Sequence, residues 1–578
     1  MAKRGGSVHV ATIKTKGKGG RVYTSHLLRR SYREGGKVRH ENLGNLSHLP
    51  AHVVQGIRAM LLGRALVDLD ENFEIARSLP HGHVAAVLGV LRSLDLERLI
   101  CRERCRQRDL IVALICQALI GPGSKLSVTR RLSQTTLAEE LCLGEVSEAE
   151  LLGAMDWLLE RQERIERALA ARHLKREGDR AFVLYDLSSS YVEGRCCPLA
   201  SLGHSRDGKR GKLQIEYGLI CSPAGRPVAV QVHPGNTQDQ QTLAGAVSSV
   251  CERFGIERVV FVGDRGMITQ AHAQTLKEQG VEFISALKAP QIKSLMEAGE
   301  LQLSLFDQTN LAEISSRRFP DERLVVCRNP AVAAERARKR EALLQGTETE
   351  LAKVAAMVKG PRGRLRRADA GEIGERAGRV VNKYKVAKHF ELSIADRAFS
   401  YTRKPAQIAA EAALDGLYVL RTTCPKDQLG PPAVVRAYKQ LKVAERAFKT
   451  MKSTLDIRPI HHHLETRVRA HVFLSMLAYH VSFELGLRLT PLLFTDENPI
   501  VPVDPVAPAK RSQAAKTKAG TRRTENGLPA SSLPDLLAEL GTLSRNQLRV
   551  GKDQHTFKRL TTPTQLQTRA LELLDVKP

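Results

Sequence analysis

A chain of 578 residues exceeds what one hydrophobic core organises, so several structural units are expected. Its 42% hydrophobic content excludes a disordered protein, and 89 Lys and Arg against 62 Asp and Glu leave a net charge of +27 that favours an anionic partner. The ten cysteines form no CxxC pair and no zinc-finger spacing, the opening MAKRGGSVHV lacks an apolar leader, and no apolar run approaches the about 20 residues of a membrane span; the reading is a cytoplasmic, nucleoid-associated protein with free thiols.

Residues 1–50 read as a basic β-hairpin region, with extended segments at Val8–Thr15, Val22–Ser31 and Val38–Leu43 and a turn at Glu34-Gly35-Gly36-Lys37. A DNA-facing sheet and a solvated accessory face are both open at this point. Residues 51–175 read as a helical domain, with helices predicted at His83–Arg92, Leu94–Cys105, Asp109–Leu119 and Ser147–Leu174. In the last of these Leu151, Met155, Leu158 and Leu159 recur at helical spacing, and Trp157 reads as a packing residue. A helix-turn-helix reader of DNA is open, but no recognition helix is marked by pattern, so helical packing is the stronger reading.

Residues 176–290 carry the clearest strand pattern. Ala181–Asp186 is strand-like and Leu187–Val192 extends it; Gln214–Cys221 pairs with Arg226–Val232 across Ser222-Pro223-Ala224-Gly225; a helix follows over Asp239–Phe254; and Arg258–Gly263 returns to the sheet. Residues 291–410 read as an insertion, with extended segments at Leu301–Leu305 and Arg323–Cys327, a charged helix at Ala331–Val358 and a break at Gly360–Gly363. Arg336, Arg338, Lys339 and Arg340 on that helix read as a solvated face or as phosphate contacts. Residues 411–490 complete the core through a strand at Gly416–Thr422, one long helix over Pro432–Leu455 and the apolar helix Val472–Leu487; residues 491–578 read as a basic linker and C-terminal tail, with a helix at Ser532–Leu543.

Asp186 follows one strand, Asp264 follows another, and Glu445 lies on the long helix, where Tyr438, Leu441, Glu445, Phe448 and Lys452 are spaced to share a face. A lone Glu in a basic helix is ordinarily a surface residue; two strand-end acids before it change that balance. Converging carboxylates of this kind suit two hard divalent ions, two Mg²⁺ with Mn²⁺ able to substitute, held about 4 Å apart on a phosphodiester. Asp186 is expected to bridge the ions, with Asp264 and Glu445 each completing one side, Lys452 on a phosphate and Tyr438 nearby. Asp239 reads as a helix N-cap, Arg265 as a phosphate contact or a salt bridge, and His461-His462-His463 as structural or DNA-facing rather than zinc-binding.

These residues resemble a bacterial insertion-sequence DDE transposase of the broad IS4-like group, most closely its IS1634-like branch. The resemblance runs from Phe182-Val-Leu-Tyr-Asp186 through Gly235-Asn236 and Asp239 to Val262-Gly-Asp264-Arg-Gly-Met267, and resumes at Tyr438-x2-Leu441-x3-Glu445-x6-Lys452 and Arg458-Pro-Ile-His461, with Arg467 and His471 beyond. It implies an α/β fold: a ribonuclease-H-like mixed-sheet catalytic core split by a large insertion, preceded by an N-terminal helical domain. It also implies a metal-dependent enzyme that cuts the ends of its element and joins them to target DNA, working as a homodimer or higher oligomer on transposon-end and target DNA. The family motif has Arg where this chain has Leu441, so Lys442 or Arg436 is expected to supply the missing cation. A nuclease of the same fold that does not join ends, and an inactive DNA-binding descendant, are the alternatives.

Overall fold

The computed structural model describes residues 6–16, 21–64, 73–174, 181–256, 258–265, 267–359, 369–550 and 555–578. The expected break at Gly360–Gly363 and Gly266 of the Asp264 motif lie outside them. The chain divides into two compact units, Met1–Leu79 with Ser544–Thr561, and Pro80–Leu543 with Thr562–Pro578.

In the first unit, Ser7–Lys16, Val22–Glu34 and Lys37–Asn45 form an antiparallel meander. Gly35 and Gly36 both take positive φ, 58° and 80°, the conformation a two-residue hairpin turn needs and the reason the Gly-Gly pair marks it. Helix Ala51–Leu61 buries Val54, and its Arg58 donates to Thr12 Oγ1 at 2.8 Å. Ser544–Val550 lies between His555–Leu560 and Phe73–Pro80 in a second sheet, so part of the expected C-terminal tail is strand.

The second unit opens with helices. The predicted Leu94–Cys105 helix is cut to Leu96–Ile100, since left-handed Asp95 precedes it and extended Cys101 ends it. The predicted Ser147–Leu174 helix divides into Glu148–Leu159 and Gln162–His173. Arg161 explains the division: its guanidinium stacks 3.9 Å from the Trp157 ring centroid and donates to Trp157 O, taking a carbonyl the helix end leaves free. Helix Glu465–Arg488 is buried on every side from Val472 to Ser482 and packs against Gly82–Ser93, Arg106–Ile120 and Glu148–Leu159, joining the helical layer to the sheet.

That sheet has eight strands: β1 Ala181–Tyr191, β2 Gln214–Cys221, β3 Pro227–Pro234, β4 Val259–Gly263, β5 Glu282–Ala286, β6 Leu311–Ile314, β7 Arg323–Arg328 and β8 Leu417–Thr422, in the order β6-β7-β8-β5-β4-β1-β2-β3. β1, β4 and β5 run parallel and the remaining pairings are antiparallel. β4 is buried along its whole length, as strands covered on both faces must be, which is why VVFVG reads as an unbroken apolar run.

Of the two extended segments predicted inside the insertion, Arg323–Cys327 is strand and Leu301–Leu305 is not. Arg323–Arg328 belongs to the central sheet, while Leu301–Leu305 is not extended; Leu303–Phe306 forms a 3-10 turn instead, with Phe306 buried in a cluster with Leu301 and Phe319. A separate apolar cluster lies between β7 and β8, built from helices Pro330–Lys359 and Ala370–Tyr384 and hairpin Phe390–Arg403. The chain returns to the sheet at Gly416, whose φ is 74° and whose absent Cβ would sit 2.4 Å from Asn329 O.

The stretch after Arg488 is not a loose linker. Lys439 Nζ donates to the carbonyls of Val506 and Ala507 at 3.1 and 2.9 Å, and the nearly buried Lys518 pairs with Glu497 at 2.6 Å and donates to Leu493 O. Of the stretch's own basic side chains, Lys518 and Arg523 donate to carbonyls. Among the described residues no single helix is long and apolar enough to cross a membrane; helix pair Arg106–Ile120 and Lys125–Leu132 passes by composition only as a bent pair, and the first of them is core.

Two buried imidazoles make the helical layer sensitive to acid. His480 donates from Nδ1 to Pro227 O at 3.2 Å, and His83 Nδ1 accepts from Val84 N at 3.0 Å; burial first, then a neighbouring His, pushes their pKa values down to about 3 and about 4. Both stay neutral in the fold while the unfolded chain gains protons below about pH 6.5. The stability they carry is present above that pH and is lost as pH falls towards the folded values, at most about 2 kcal/mol each by pH 5. Thermal unfolding between pH 7 and pH 5 should show a falling Tm, with a shallower fall for His480→Gln; an unchanged slope contradicts the assignment.

Candidate active site

Register places the first two acids. In the parallel pairing of β1 with β4, Tyr185 lies opposite Gly263, so the next residue on each strand is an acid, Asp186 beside Asp264. Adjacent strands are about 4.8 Å apart, and no loop is needed to bring these carboxylates near one another. Asp186 lies within β1, which runs on to Tyr191, and Asp264 lies just past β4. Asp186 Oδ1 accepts from its neighbour Leu187 N at 2.8 Å, and Asp264 O accepts from Ser285 Oγ at 2.9 Å.

The third acid arrives on helix Leu441–Ser453, which rests on β1 through buried Ala444, Ala447, Phe448 and Met451. Phe448 meets Tyr217 edge-on, with ring centroids 5.6 Å apart. Its Val443 fills the space where a Cβ on Gly225 would be, only 1.9 Å from Val443 Cγ1, and Gly225 itself has φ 88°. The hairpin glycine therefore serves the turn and the seating of the helix together. Glu445, one turn after buried Leu441 and one turn before buried Phe448, is exposed at the edge of this face.

Asp186, Asp264 and Glu445 line one cavity of 230 Å³, with Arg265, Arg336, Tyr438 and Lys442 also on its wall. Burial, followed by the charges of Asp264 and Glu445, pushes the Asp186 pKa up to about 7 against the Leu187 amide. Tyr438 donates to Asp264 Oδ1 at 3.3 Å; burial first, then the Asp264 charge, raises its own pKa. Among the described residues no group of three or more His, Cys, Asp and Glu is gathered tightly enough to hold a metal ion, so the acids share a cavity without forming such a group.

Several predicted residues are placed differently from expectation. The helix over Pro432–Leu455 is two helices, Pro431–Lys439 and Leu441–Ser453, with a turn at Gln440 whose N–H is shared between Arg436 O and Ala437 O. Tyr438 therefore reaches the cavity from a different helix than Glu445. Lys452 does not line the cavity: its ammonium is held by Asp207 at 2.7 Å with a side chain only 10% exposed. Of the two cations expected to replace the missing Arg, Lys442 lines the cavity, while Arg436 is exposed outside its lining; Leu441 is buried. Gln238, not Asp239, occupies the N-cap, and Asp239 pairs with Arg206 at 2.5 Å. Arg467 pairs with Asp156 at 3.4 Å, and half-buried His471 bonds Ile457 O through Nε2 and Lys125 through Nδ1.

Sequence reading gave no distinct role to Arg206, Asp207 or Glu216, which lie in an unpatterned loop and on an apolar strand. Asp186, by contrast, makes a stability prediction. Because its carboxyl is pushed up to about 7, the charged form opposes folding at higher pH in metal-free buffer. Asp186→Asn keeps an acceptor for Leu187 N and should stabilise the metal-free protein at pH 8 by about 1–3 kcal/mol. Thermal unfolding with chelator present checks this, and a lower Tm for the variant contradicts it.

A family model of the transposase DDE domain matches residues 198–481, and a model of the IS1634 family transposase N-terminal domain matches residues 10–66. Asp264 and Glu445 fall inside the first match and Asp186 just before it. No curated protein matches the chain significantly. Among solved structures, the chain is similar to that described as the cryo-EM structure of piggyBac transposase synaptic complex with hairpin DNA, with 9% identity, 80% of each chain covered and a TM-score of 0.34. With both the DDE domain and the family's N-terminal domain present, the chain belongs to the IS1634-like DDE transposases.

Proposed function

We propose that this chain is an active, metal-dependent DNA transposase that cleaves the ends of its own element and joins them to target DNA. The observation that carries the reading is the convergence of Asp186, Asp264 and Glu445 on one cavity from two parallel strands and a helix. The strand order β3-β2-β1-β4-β5, with β2 antiparallel to its neighbours, supports naming the core ribonuclease-H-like.

The donor set suits hard divalent ions. Three carboxylates offer oxygen ligands, and the Asp186 pKa, raised by burial first and by the charges of Asp264 and Glu445 after it, reports a cost of charge that a bound cation relieves. Asp186, Asp264 and Glu445 would hold two Mg²⁺, or Mn²⁺ in their place, which when bound supply Lewis-acid activation of the attacking oxygen and stabilisation of the leaving one. Around the acids, Arg265, Arg336 and Lys442 offer cations to phosphate oxygens, and Tyr438 orients Asp264. The +27 net charge supplies affinity that does not depend on sequence. Assembly as a homodimer or larger complex on transposon-end and target DNA belongs to the same proposal.

Replacing Asp186, Asp264 or Glu445 singly by Ala should nearly abolish Mg²⁺-dependent cleavage while leaving most DNA binding, because distributed basic groups provide the affinity. The test incubates wild-type and variant proteins with DNA carrying both element ends, with and without Mg²⁺, and resolves cleaved and joined products on one gel. Cleavage without joining by the wild type favours a nuclease, binding with neither product an inactive descendant, and unimpaired cleavage by the variants removes the acids from the site.

A further inference from the structure

The loop between β1 and β2 carries two adjacent charges that meet different sets of partners. Arg206 pairs with Glu216 of β2 at 3.3 Å and with Asp239 at 2.5 Å, and its backbone N–H donates to Ser189 Oγ of β1 at 2.9 Å. Asp207 turns the other way. Its Oδ1 accepts from Lys452 at 2.7 Å and from Arg458, while its Oδ2 accepts from Tyr191 N at 3.2 Å.

Asp207 has a side chain only 1% exposed, so this carboxylate was taken out of water to meet two cations and a strand amide. Removing water from an ion is costly, and the arrangement persists only where the partners are held accurately. Lys452 lies seven positions after Glu445 on the same helix, about 10 Å along its axis at 1.5 Å per residue. Through Asp207 the far end of that helix is tied to the end of β1, the strand that carries Asp186.

We infer that Asp207 is a positioning residue for the acid centre, and that Lys452 serves it as the helix-side partner of this buried ion pair rather than as a phosphate contact. The inference rests on the transposase reading above. Its physical content is that Glu445 is aimed from two points: at the start of the helix by Val443 against Gly225, and at the end by Lys452 on Asp207. Arg458 adds a second cation to the same carboxylate just beyond the helix. Nothing in the order of residues between Tyr191 and Gln214 marks Asp207, since its two cationic partners come from more than two hundred positions away.

Two roles for Lys452 predict different behaviour in binding without metal. If its ammonium holds a phosphate, Lys452→Met weakens DNA binding and makes the salt dependence shallower by about one ion, and Asp207→Asn, by freeing the ammonium, tightens binding. A positioning pair leaves affinity and salt slope at wild-type values in both variants. It lowers Mg²⁺-dependent cleavage by about 10- to 100-fold and raises the Mg²⁺ concentration needed for half-maximal rate. Asp207→Ala strands two cations and is expected to unfold more readily, so the double variant Asp207→Asn, Lys452→Met, which removes one charge of each sign, is measured alongside at a temperature below its unfolding transition.

Unchanged metal-free binding with a raised Mg²⁺ requirement in Lys452→Met and in the double variant is the expected result. Weaker, less salt-sensitive binding by Lys452→Met, or wild-type cleavage at wild-type Mg²⁺ in the double variant, overturns the inference. A wild-type protein that neither cleaves nor joins fails the transposase reading itself, while the metal-free binding series still decides what Lys452 does.

Discussion

When β1 and β4 pair in parallel with Tyr185 opposite Gly263, the two residues that follow, Asp186 within β1 and Asp264 just past β4, are both acids. Shifting one strand by a single residue would turn its acid to the other face, because side chains alternate along a strand. The register is secured by apolar burial: Val183, Leu184 and Tyr185 on one strand and Val260, Phe261 and Val262 on the other are essentially inaccessible to water. Hydrophobic packing of the central strands thus holds in place carboxylates that repel one another.

The remaining layers serve that arrangement. Helix Glu465–Arg488 closes one side of the core and carries the helical layer, and helix Leu441–Ser453 brings Glu445 across β1. The folded block between β7 and β8 contributes Arg336 to the cavity wall from its first helix. A basic chain therefore keeps three acids in one cavity whose wall also carries its own cations Arg265, Arg336 and Lys442. That contrast suits a polyanionic substrate whose backbone is bound broadly and cut at one point.

Much of the core was legible because its signals are local. The apolar run before Asp264, the Ser-Pro-Ala-Gly turn and the alternation around Gly35-Gly36 each announce their own structure, and the acids stand out because they close such runs. Where the reading went astray, distant partners decided the outcome. Arg161 stacking on Trp157 divides a helix that periodicity runs together. The turn at Gln440 interrupts a pattern that is helical on both sides. Residues 491–578 look like a basic linker and tail by composition, yet Lys439 and Lys518 tie part of them down through carbonyls. Lys452 has the spacing of a phosphate contact and is held by Asp207, a partner that no local pattern reveals.

The claim on which the account turns is that Asp186, Asp264 and Glu445 together are a metal centre. Crystals grown with Mn²⁺ and end DNA, measured at the manganese absorption edge, locate those ions directly. The account predicts anomalous peaks among these three carboxylates that vanish in Asp186→Ala; peaks confined to other sites, such as the histidines at 461–463, would contradict it.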